Sequence, residues 1–351
     1  MTSGDTLIIG AGVVGCTTAL ALADQGQRVM MVERGLLGGE SSWAGGGILF
    51  PLLPWNYVEP VTRLALAGAF CYPELAGRLL AETGIDPEYR TCGMQVLPPL
   101  DNKTAQDWCA RYGVQAHFTQ EQALWLPQVA QVRPPRLLQA LRVLLERNGV
   151  EIREGVDMLP LIATSSKLEG WSSNTGEIFQ AGAYVVTAGA WSKQLLGAHA
   201  LGLDIRPMRG QMLLYRLPLG TLEHMVYREG FYLIPRRDGH ILAGSTVEDV
   251  GFDKNTTSEV ATELQRKACE LLPQLAGMAP LRHWSGLRPG SPRNIPVIAR
   301  HPQFDNLWLN AGHFRYGVTM APASAELLKR LMLDGLESSG DYSFPGKSLF
   351  Q

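Results

Sequence analysis

A glycine-rich turn near the start of the sequence constrains the fold of this chain more than any other feature. The turn is GAGVVG, residues 10–15. The apolar run at residues 6–9 predicts a buried strand before it, and the small residues 16–25 predict a helix after it. A second apolar run, residues 28–32, predicts a strand that ends at Glu33. This order of strand, turn, helix and strand predicts a βαβ unit that binds a dinucleotide.

Each part of this unit has its own chemical role. Gly10 allows the tight turn, Gly12 allows backbone N–H groups to approach a pyrophosphate, and Gly15 allows the helix to pack closely on the strand. The helix N-terminus carries a partial positive charge that attracts the phosphates. Glu33 is positioned to accept hydrogen bonds from the adenosine ribose. Its charge disfavours NADP, because the ribose of NADP carries a phosphate.

NAD and FAD share this fingerprint, and two features favour FAD. The turn lies at the extreme start of the sequence, and a glycine loop at residues 311–317 leads into a helix predicted at residues 323–333. The N-terminus of such a helix stabilises negative charge on a reduced flavin ring. Near the start, a long segment rich in glycine and proline covers residues 35–60. Such segments are usually functional, and residues 41–47 offer further backbone amides to the cofactor.

The remaining patterns alternate between helix and strand up to about residue 207 and then become β-rich. Helical spacing is found at residues 61–83, 134–148 and 260–272. A hairpin is predicted at residues 230–244 around an Asp-Gly turn. We therefore expect an α/β flavoprotein in which a Rossmann-like FAD-binding domain is interleaved with a β-rich substrate domain of α+β type.

The change of pattern also predicts domain boundaries. The FAD-binding domain is expected to be discontinuous and to comprise residues 1–86, 134–207 and 288–351. The substrate-binding domain is expected to comprise residues 87–133 and 208–287.

Composition excludes several classes of protein. The formal net charge of −2 offers no basic surface for nucleic acid. The five cysteines are widely scattered and fit neither a disulfide framework nor a zinc site, so we expect no metal and a cytoplasmic location. No apolar run has the ~18 residues of a membrane span, and the start lacks the basic region of a signal peptide. A homo-oligomer is expected.

Seven stretches of the sequence resemble the D-amino-acid oxidase-like flavoproteins, and most closely the glycine oxidases of thiamine biosynthesis. They span nearly the whole chain in the order of that family. The last two are the most specific. The stretches are IIGAGVVG, MMVERG, GGESSWAGGGIL, VVTAGAWS, YLIPRRDGHILAGSTVED, WSGLRPGSPRNIPVIAR and NAGHFRYGVTMAPAS.

The resemblance implies roles for particular residues. Arg288, in GLRPG, corresponds to the arginine that binds the substrate carboxylate, and Arg315 and Tyr232 are implied in the same pocket. No side chain is assigned as a catalytic base, because the flavin carries the chemistry. The fingerprint and the resemblance together give the expected cofactor contacts: Gly10, Gly12, Val13, Val14, Gly15, Glu33, Arg34, Ser41, Ser42, Gly46, Gly47, Ile48, Met158, His313, Phe314, Arg315, Tyr316, Gly317, Val318 and Thr319.

The resemblance also implies a reaction. Glycine, or sarcosine or a small D-amino acid, is deaminated oxidatively to the oxo acid and ammonia. Hydride passes to flavin N5, and O₂ reoxidises the flavin to give hydrogen peroxide. FAD is expected to be noncovalent, since no cysteine stands in the flavin loops. Three alternatives stay open: a dehydrogenase that uses another electron acceptor, an oxidase domain that modifies tRNA, and a noncatalytic FAD-binding scaffold.

Some of these residues have simpler interpretations. Tyr232 is also consistent with a core aromatic residue, His313 with a structural histidine, and either arginine with an ion pair. Trp43 and Trp55 fit the edge of an active site or a subunit interface. Gly230 and Val247 are smaller than the family pattern, which predicts a pocket that admits slightly more than glycine.

Overall fold

The computed structural model describes residues 5–336 and 340–345. Residues 1–4, where a signal peptide was considered, lie outside the described residues. So do residues 337–339 and 346–351 of the third predicted FAD-binding segment.

Strands and helices alternate along the first part of the chain and at its end. The strands are β1 (Thr6–Ile9), β2 (Val29–Glu33), β3 (Arg90–Thr91), β4 (Met94–Val96), β5 (His117–Phe118), β6 (Leu124–Leu126), β7 (Ala130–Gln131), β8 (Glu151–Glu154), β9 (Trp171–Ser172), β10 (Ile178–Phe179), β11 (Ala183–Val186), β12 (Arg206–Arg216), β13 (Met225–Arg228), β14 (Phe231–Pro235), β15 (His240–Gly244), β16 (Arg282–Gly290), β17 (Val297–Arg300) and β18 (Leu307–Ala311). The helices are α1 (Val13–Ala23), α2 (Ser41–Ala44), α3 (Glu59–Thr83), α4 (Asn102–Tyr112), α5 (Pro134–Arg147), α6 (Ser192–Leu196), α7 (Ser258–Leu271) and α8 (Gly317–Leu333).

The first sheet has six strands in the order β17-β18-β11-β1-β2-β8. All its neighbours are parallel except β17 and β18. The carboxyl ends of β1, β2, β11 and β18 therefore meet at one edge of the sheet. In an open parallel sheet this edge is where ligands bind.

Both faces of this sheet are covered, as expected of a parallel sheet. Ile8 and Met31 contribute to a core cluster with residues of α1, α3, α5 and α8. Leu7, Ile9 and Val32 contribute to a cluster on the other face. This alternation follows from the two-residue period of a strand.

The second sheet has eight strands in the order β16-β12-β15-β14-β13-β4-β6-β5. Its neighbours are antiparallel except β13 and β4. One face packs on helix α7 through a cluster that includes Leu213 and Leu264. The other face carries Met212, Tyr232 and Ile234. Tyr232, on this second face, lines a cavity that residues of the first sheet also line.

Helix α3 has the length and mean hydropathy, 1.2, of a membrane span. The helical spacing at residues 61–83 predicts this helix, but the segment contains no uninterrupted apolar run of ~18 residues. Val61, Leu64 and Leu79 of this helix are buried in the first core cluster. About a third of its apolar window, 33%, is buried, so one side of α3 packs against the core of the folded chain.

The two sheets confirm the expected fold class, an α/β unit combined with a β-rich one. The predicted domain boundaries stay a prediction, although β16 carries the second sheet through residue 290, past the expected boundary at 287. One helix differs from expectation: α8 begins at Gly317 and not at Ala323, because Pro322 is accommodated inside the helix. Because of this earlier start, the N-terminus of α8 lies next to the glycine loop at residues 311–317.

Candidate active site

A cavity of about 390 Å³ lies between the carboxyl edge of the first sheet and the inner face of the second. Ile9 and Glu33 line it from the first sheet, and Tyr232 and Arg288 line it from the second. Residues of both sheets therefore line the cavity. The glycine-rich turn lines one part of it, and residues of β14 and β16 line another. This is the arrangement that a dinucleotide cofactor with a substrate at its far end requires.

The structure brings nearly all the sequence-predicted residues to this one cavity. Gly15 is the exception among them. The predicted residues that line the cavity are Gly10, Gly12, Val13, Val14, Glu33, Arg34, Ser41, Ser42, Gly46, Gly47, Ile48, Met158, Tyr232, Arg288, His313, Phe314, Arg315, Tyr316, Gly317, Val318 and Thr319.

Gly15 acts through packing instead. A Cβ at this position would lie 2.1 Å from the carbonyl oxygen of Gly10 and 2.8 Å from Thr187 Oγ1. Gly10 itself has φ +107°, a conformation that side chains strongly disfavour. These two glycines therefore allow helix α1 to begin directly against β1.

The N-terminus of α1 presents backbone donors to the cavity. The N–H of Val13 donates to Ser42 Oγ at 2.9 Å, which ties the turn to helix α2. Within the described residues, the N–H groups of Gly12 and Val14 have no hydrogen-bond partner. Unpaired donors at the start of an 11-residue helix suit a pyrophosphate.

Glu33 closes the same end of the cavity. Its Oε2 accepts from the N–H of Ala11 at 2.8 Å, and its Oε1 accepts from the N–H of Gly35 at 2.9 Å. These bonds fix the carboxylate while leaving lone pairs for ribose hydroxyls. The guanidinium of Arg34 stacks on Trp191 with its carbon 4.4 Å from the ring centroid. Phosphate donors and a ribose acceptor thus stand in the order that an adenine dinucleotide such as FAD needs.

A buried arginine that the sequence analysis did not single out holds the glycine loop in place. Arg236 follows β14 and donates to the carbonyl oxygens of Gly46 at 2.7 Å and Val132 at 2.8 Å, and to Gln131 Oε1 at 2.6 Å. Burial lowers the pKa of Arg236 to about 10. Gly46 passes so close to β14 that a Cβ would lie 2.7 Å from Ile234 Cδ1.

The loop before α8 forms another wall of the cavity. Thr319 Oγ1 donates to the carbonyl oxygen of Ile48 at 2.9 Å, and the Tyr72 hydroxyl donates to that of Val318 at 2.6 Å. His313 is only 1% exposed, and its Nε2 has no partner within the described residues. Burial lowers the pKa of His313 to about 3, so this imidazole is neutral at physiological pH. These features fit an uncharged donor or acceptor beside a flavin.

Arg288 occupies the far end of the cavity on β16. Its Nη1 donates to the carbonyl oxygen of Thr246 at 3.0 Å, and its Nη2 donates to Ser245 Oγ at 2.8 Å. The Tyr232 hydroxyl donates to the same Ser245 oxygen at 3.0 Å. Desolvation lowers the pKa of Arg288, but the group stays charged. The other guanidinium N–H groups are available to a carboxylate.

A glycine makes the space for this guanidinium. Gly210 lies on β12, and a Cβ there would be 2.2 Å from Arg288 Nη1 and 2.4 Å from Cζ and Nη2. The flat guanidinium thus lies directly against the backbone of β12. No local pattern predicts this role of Gly210, because its contact with Arg288 depends on the pairing of β12 with β16.

Arg315 lines the same cavity but differs from Arg288 in its environment. Its side chain is exposed, its guanidinium carbon lies 5.3 Å from the ring centroid of Phe314, and its backbone N–H donates to Asn294 Oδ1 at 3.3 Å. No carboxylate among the described residues forms an ion pair with it. It is therefore an unpaired cation at the cavity wall.

Four residues considered in the sequence analysis lie away from the cavity. Gly230 and Val247 do not line it: Gly230 forms the turn before β14 with φ +87°, and Val247 is 39% exposed. The small size of Gly230 and Val247 therefore does not widen the cavity. Trp43 packs edge-on against Trp284, and Trp55 packs against Trp108, and neither of the two predicted residues lines the cavity.

Other lining residues were not assigned from the sequence. One group of them belongs to the VVTAGAWS stretch, and the resemblance of that stretch to the family was the signal that could have placed these residues at the cofactor. They are Thr187, Ala188, Gly189, Ala190 and Trp191. The remaining unassigned residues are contributed by several loops and strand ends. They include Leu36, Phe50, Leu52, Val156, Asp157, Ser245, Pro289, Asn310, Ala311 and Gly312.

Cysteines and metal-binding clusters are not found in the lining of the cavity in the described part of the chain. All five cysteines are free, and none of them lines the cavity. No cluster of histidine, cysteine and acidic side chains that could hold a metal occurs among residues 5–336 and 340–345. The lining offers hydrogen-bond donors, acceptors and apolar surface, which suit an organic cofactor such as FAD.

Comparisons with known proteins agree with this geometry. The chain is 44% identical over 344 residues to a glycine oxidase of Pseudomonas aeruginosa, covering 93% of this chain and 94% of that protein. It is 32% identical to a bifunctional protein ThiO/ThiG of Synechocystis sp., covering 95% of this chain and 52% of that protein. The solved structure of glycine oxidase from Geobacillus kaustophilus superposes with a TM-score of 0.89 at 26% identity, covering 97% of this chain and 98% of that one. A family model described as FAD dependent oxidoreductase matches residues 5–331, and this chain belongs to that family.

Proposed function

We propose that this protein oxidises glycine, with FAD as its cofactor and O₂ as the final electron acceptor. The products are the oxo acid, ammonia and hydrogen peroxide, and the water that completes the balance hydrolyses the imine. The observation that carries the proposal is Arg288, a desolvated guanidinium with unused donors at the end of the cavity opposite the pyrophosphate site. The identity to a glycine oxidase supports the substrate.

When bound, FAD supplies the hydride acceptor; the protein binds and orients. Glu33, Ser42 and the N-terminus of α1 would hold the adenosine and pyrophosphate without a covalent link. Helix α8 begins at the loop that carries His313, and no side chain caps its N-terminus. Its partial positive charge would stabilise negative charge on a reduced ring.

The substrate carboxylate would bind to the planar fork of Arg288, for which two parallel hydrogen bonds are the favoured geometry. Tyr232, held by Ser245, and Arg315 would limit the remaining orientations. No acidic or basic side chain is assigned to remove a proton from the α carbon. The proposal extends to sarcosine and small D-amino acids because the family resemblance implies them, and not because Gly230 or Val247 widens the cavity.

A place in thiamine biosynthesis is proposed from the resemblance to the glycine oxidases of that pathway. The five free cysteines support a reducing, cytoplasmic location. A homo-oligomeric state is proposed as well, and analytical ultracentrifugation would test it.

Anaerobic titration of the flavin absorbance with glycine, sarcosine, D-alanine and L-alanine tests the function. We expect glycine to bleach the flavin, followed by one equivalent of peroxide when air is admitted. Bleaching without peroxide would support a dehydrogenase that uses another acceptor. A flavin that dithionite reduces but no amino acid reduces would contradict the proposed activity.

A further inference from the structure

The chain after β15 links the Arg288 guanidinium to a partly buried ion pair, Arg209–Glu248, on the opposite face of β12. Residues 245–248 run beside β12, and Arg209 and Glu248 exchange two backbone hydrogen bonds of 2.9 Å. We propose that the Arg209–Glu248 ion pair positions Arg288 for the substrate carboxylate. This inference rests on the proposed function, in which Arg288 binds that carboxylate.

The first part of the link is a nearly fully buried arginine. Arg209 is 5% exposed, and its Nη2 and Nε donate to Glu248 Oε2 at 2.6 and 3.1 Å. Its Nη1 donates to Asp253 Oδ2 and to the carbonyl oxygen of Asn255, both at 2.7 Å. Four of the five guanidinium N–H groups are therefore used. These bonds fix Arg209, and Arg209 fixes one carboxylate oxygen of Glu248 in turn.

The second part is the other oxygen of Glu248. Its Oε1 accepts from Thr246 Oγ1 and from Gln211 Nε2, the latter at 3.0 Å. Thr246 Oγ1 also accepts from the backbone N–H of Gln211 at 2.9 Å. The threonine side chain is thus held from two sides. Its peptide, whose carbonyl oxygen accepts from Arg288, has little freedom to rotate.

The third part is the support of the Arg288 guanidinium itself. One N–H on Nη1 is used by Thr246 and one on Nη2 by Ser245. A guanidinium has five N–H groups, so these two bonds orient the plane and leave the others for a ligand. A shift of the 245–246 peptides would rotate the plane, and with it every donor that the substrate meets.

Strand alternation explains why the supporting pair does not compete with the substrate. Arg209 and Gln211 project to one face of β12, and Gly210 projects to the face on which Arg288 lies. The charge of Glu248 is therefore neutralised by Arg209 on the far side of the strand. Arg209 and Glu248 are positioning residues, since neither lines the cavity.

The test uses glycolate, which keeps the carboxylate and replaces the amine with a hydroxyl, as a probe of the FAD-loaded enzyme. Its Kd is measured from the perturbation of the flavin spectrum. Glu248→Gln should raise the Kd for glycolate and the KM for glycine about 5- to 20-fold, with kcat at saturation changed less than about threefold. Asp204→Asn is the matched control, because it breaks an exposed pair with Arg206 on the same strand.

A coupling measurement separates positioning from a general structural role. In an Arg288→Lys background, where the fork is already lost, Glu248→Gln should change the Kd less than about twofold. Thr246→Val gives an independent check, since it breaks the hydroxyl bridge and leaves the Arg209–Glu248 pair in place. It should weaken glycolate binding in the same direction without loss of FAD.

The outcomes distinguish this inference from the proposed function. If Arg288→Lys leaves the Kd for glycolate unchanged, the role of Arg288 fails and this inference fails with it. If Arg288→Lys weakens binding but Glu248→Gln and Thr246→Val do not, only the positioning role is overturned. The positioning role would also be overturned if Glu248→Gln raised the Kd for glycolate by the same factor in the Arg288→Lys background as in the wild type.

Discussion

The substitution Gly210→Ala gives the sharpest test of how the substrate end of the cavity is built. The added Cβ would lie 2.2–2.4 Å from three atoms of the Arg288 guanidinium, whereas ordinary contact begins at 3.4 Å. The guanidinium would have to retreat by about 1 Å, and a misplacement of this size costs about 100-fold in rate. The retreat also lengthens the bonds from Arg288 to Ser245 and Thr246.

Stability should respond much less than activity. The displaced atoms are the far end of a flexible side chain, so the backbone of β12 can stay in place. Alanine also reduces the conformational freedom of the unfolded chain, which offsets part of any loss. We expect kcat/KM for glycine to fall about 100-fold, with FAD content unchanged and the free energy of unfolding lowered by less than about 2 kcal/mol.

Steady-state kinetics, flavin content and urea unfolding would be measured in parallel on Gly210→Ala and Gly170→Ala. The second variant is the control, because its Cβ would lie 2.6 Å from Cγ2 of the exposed Ile178, and neither Gly170 nor Ile178 lines the cavity. It should retain wild-type kcat/KM. If Gly210→Ala kept kcat/KM within threefold of the wild type, Arg288 would not be the group that fixes the carboxylate.

Four further outcomes are expected. Arg288→Lys should lower kcat/KM for glycine about 10- to 150-fold with the flavin retained, because lysine lacks the two-point fork; loss of FAD would instead mark Arg288 as structural. Glu33→Ala should raise the Kd of FAD about 10- to 150-fold in a fluorescence titration, since it removes a charged acceptor for the ribose. Acid precipitation should leave the yellow colour in the supernatant, and a yellow pellet would contradict noncovalent binding. His313, whose pKa burial lowers to about 3, binds a proton in the unfolded chain below about pH 6.5 but not in the folded one, so stability falls as the pH drops from about 6.5 toward 3. Urea unfolding at pH 7 and 5 should show that His313→Asn loses about 2 kcal/mol less than the wild type over this interval.

The cofactor end of the site could be predicted from sequence because it is built from local signals. The βαβ unit is one contiguous segment that ends at Glu33. At each glycine of its turn, a Cβ would come close to neighbouring atoms. The start of α8 was harder, since Pro322 and the small residues before it hide the helical pattern. The prediction placed the helix six residues late and so separated it from His313.

The substrate end depends on pairing between distant strands, which no local pattern contains. Gly210 matters because β12 lies between β16 and β15, and the bridge from Arg209 to Glu248 follows from the same pairing. Gly230 and Val247 illustrate the opposite error. Both are close in sequence to residues that line the cavity. Gly230, however, lies in the turn before β14, and Val247 is exposed in the segment after β15, so neither lines it.

The electrostatics of the cavity explain why a carboxylate is the favoured ligand. Arg288 is desolvated, and among the described residues its hydrogen-bond partners, Ser245 and Thr246, are uncharged. The nearest acid in its support, Glu248, is already neutralised by Arg209. A partly buried cation without a counter-ion is costly, and an anion that can reach it gains more there than at the surface. An amine without a carboxylate would leave this cation uncompensated. If Arg288 binds the substrate carboxylate as proposed, its support by neutral acceptors would make selection for amino acids over simple amines a property of the protein, independent of the chemistry at the flavin.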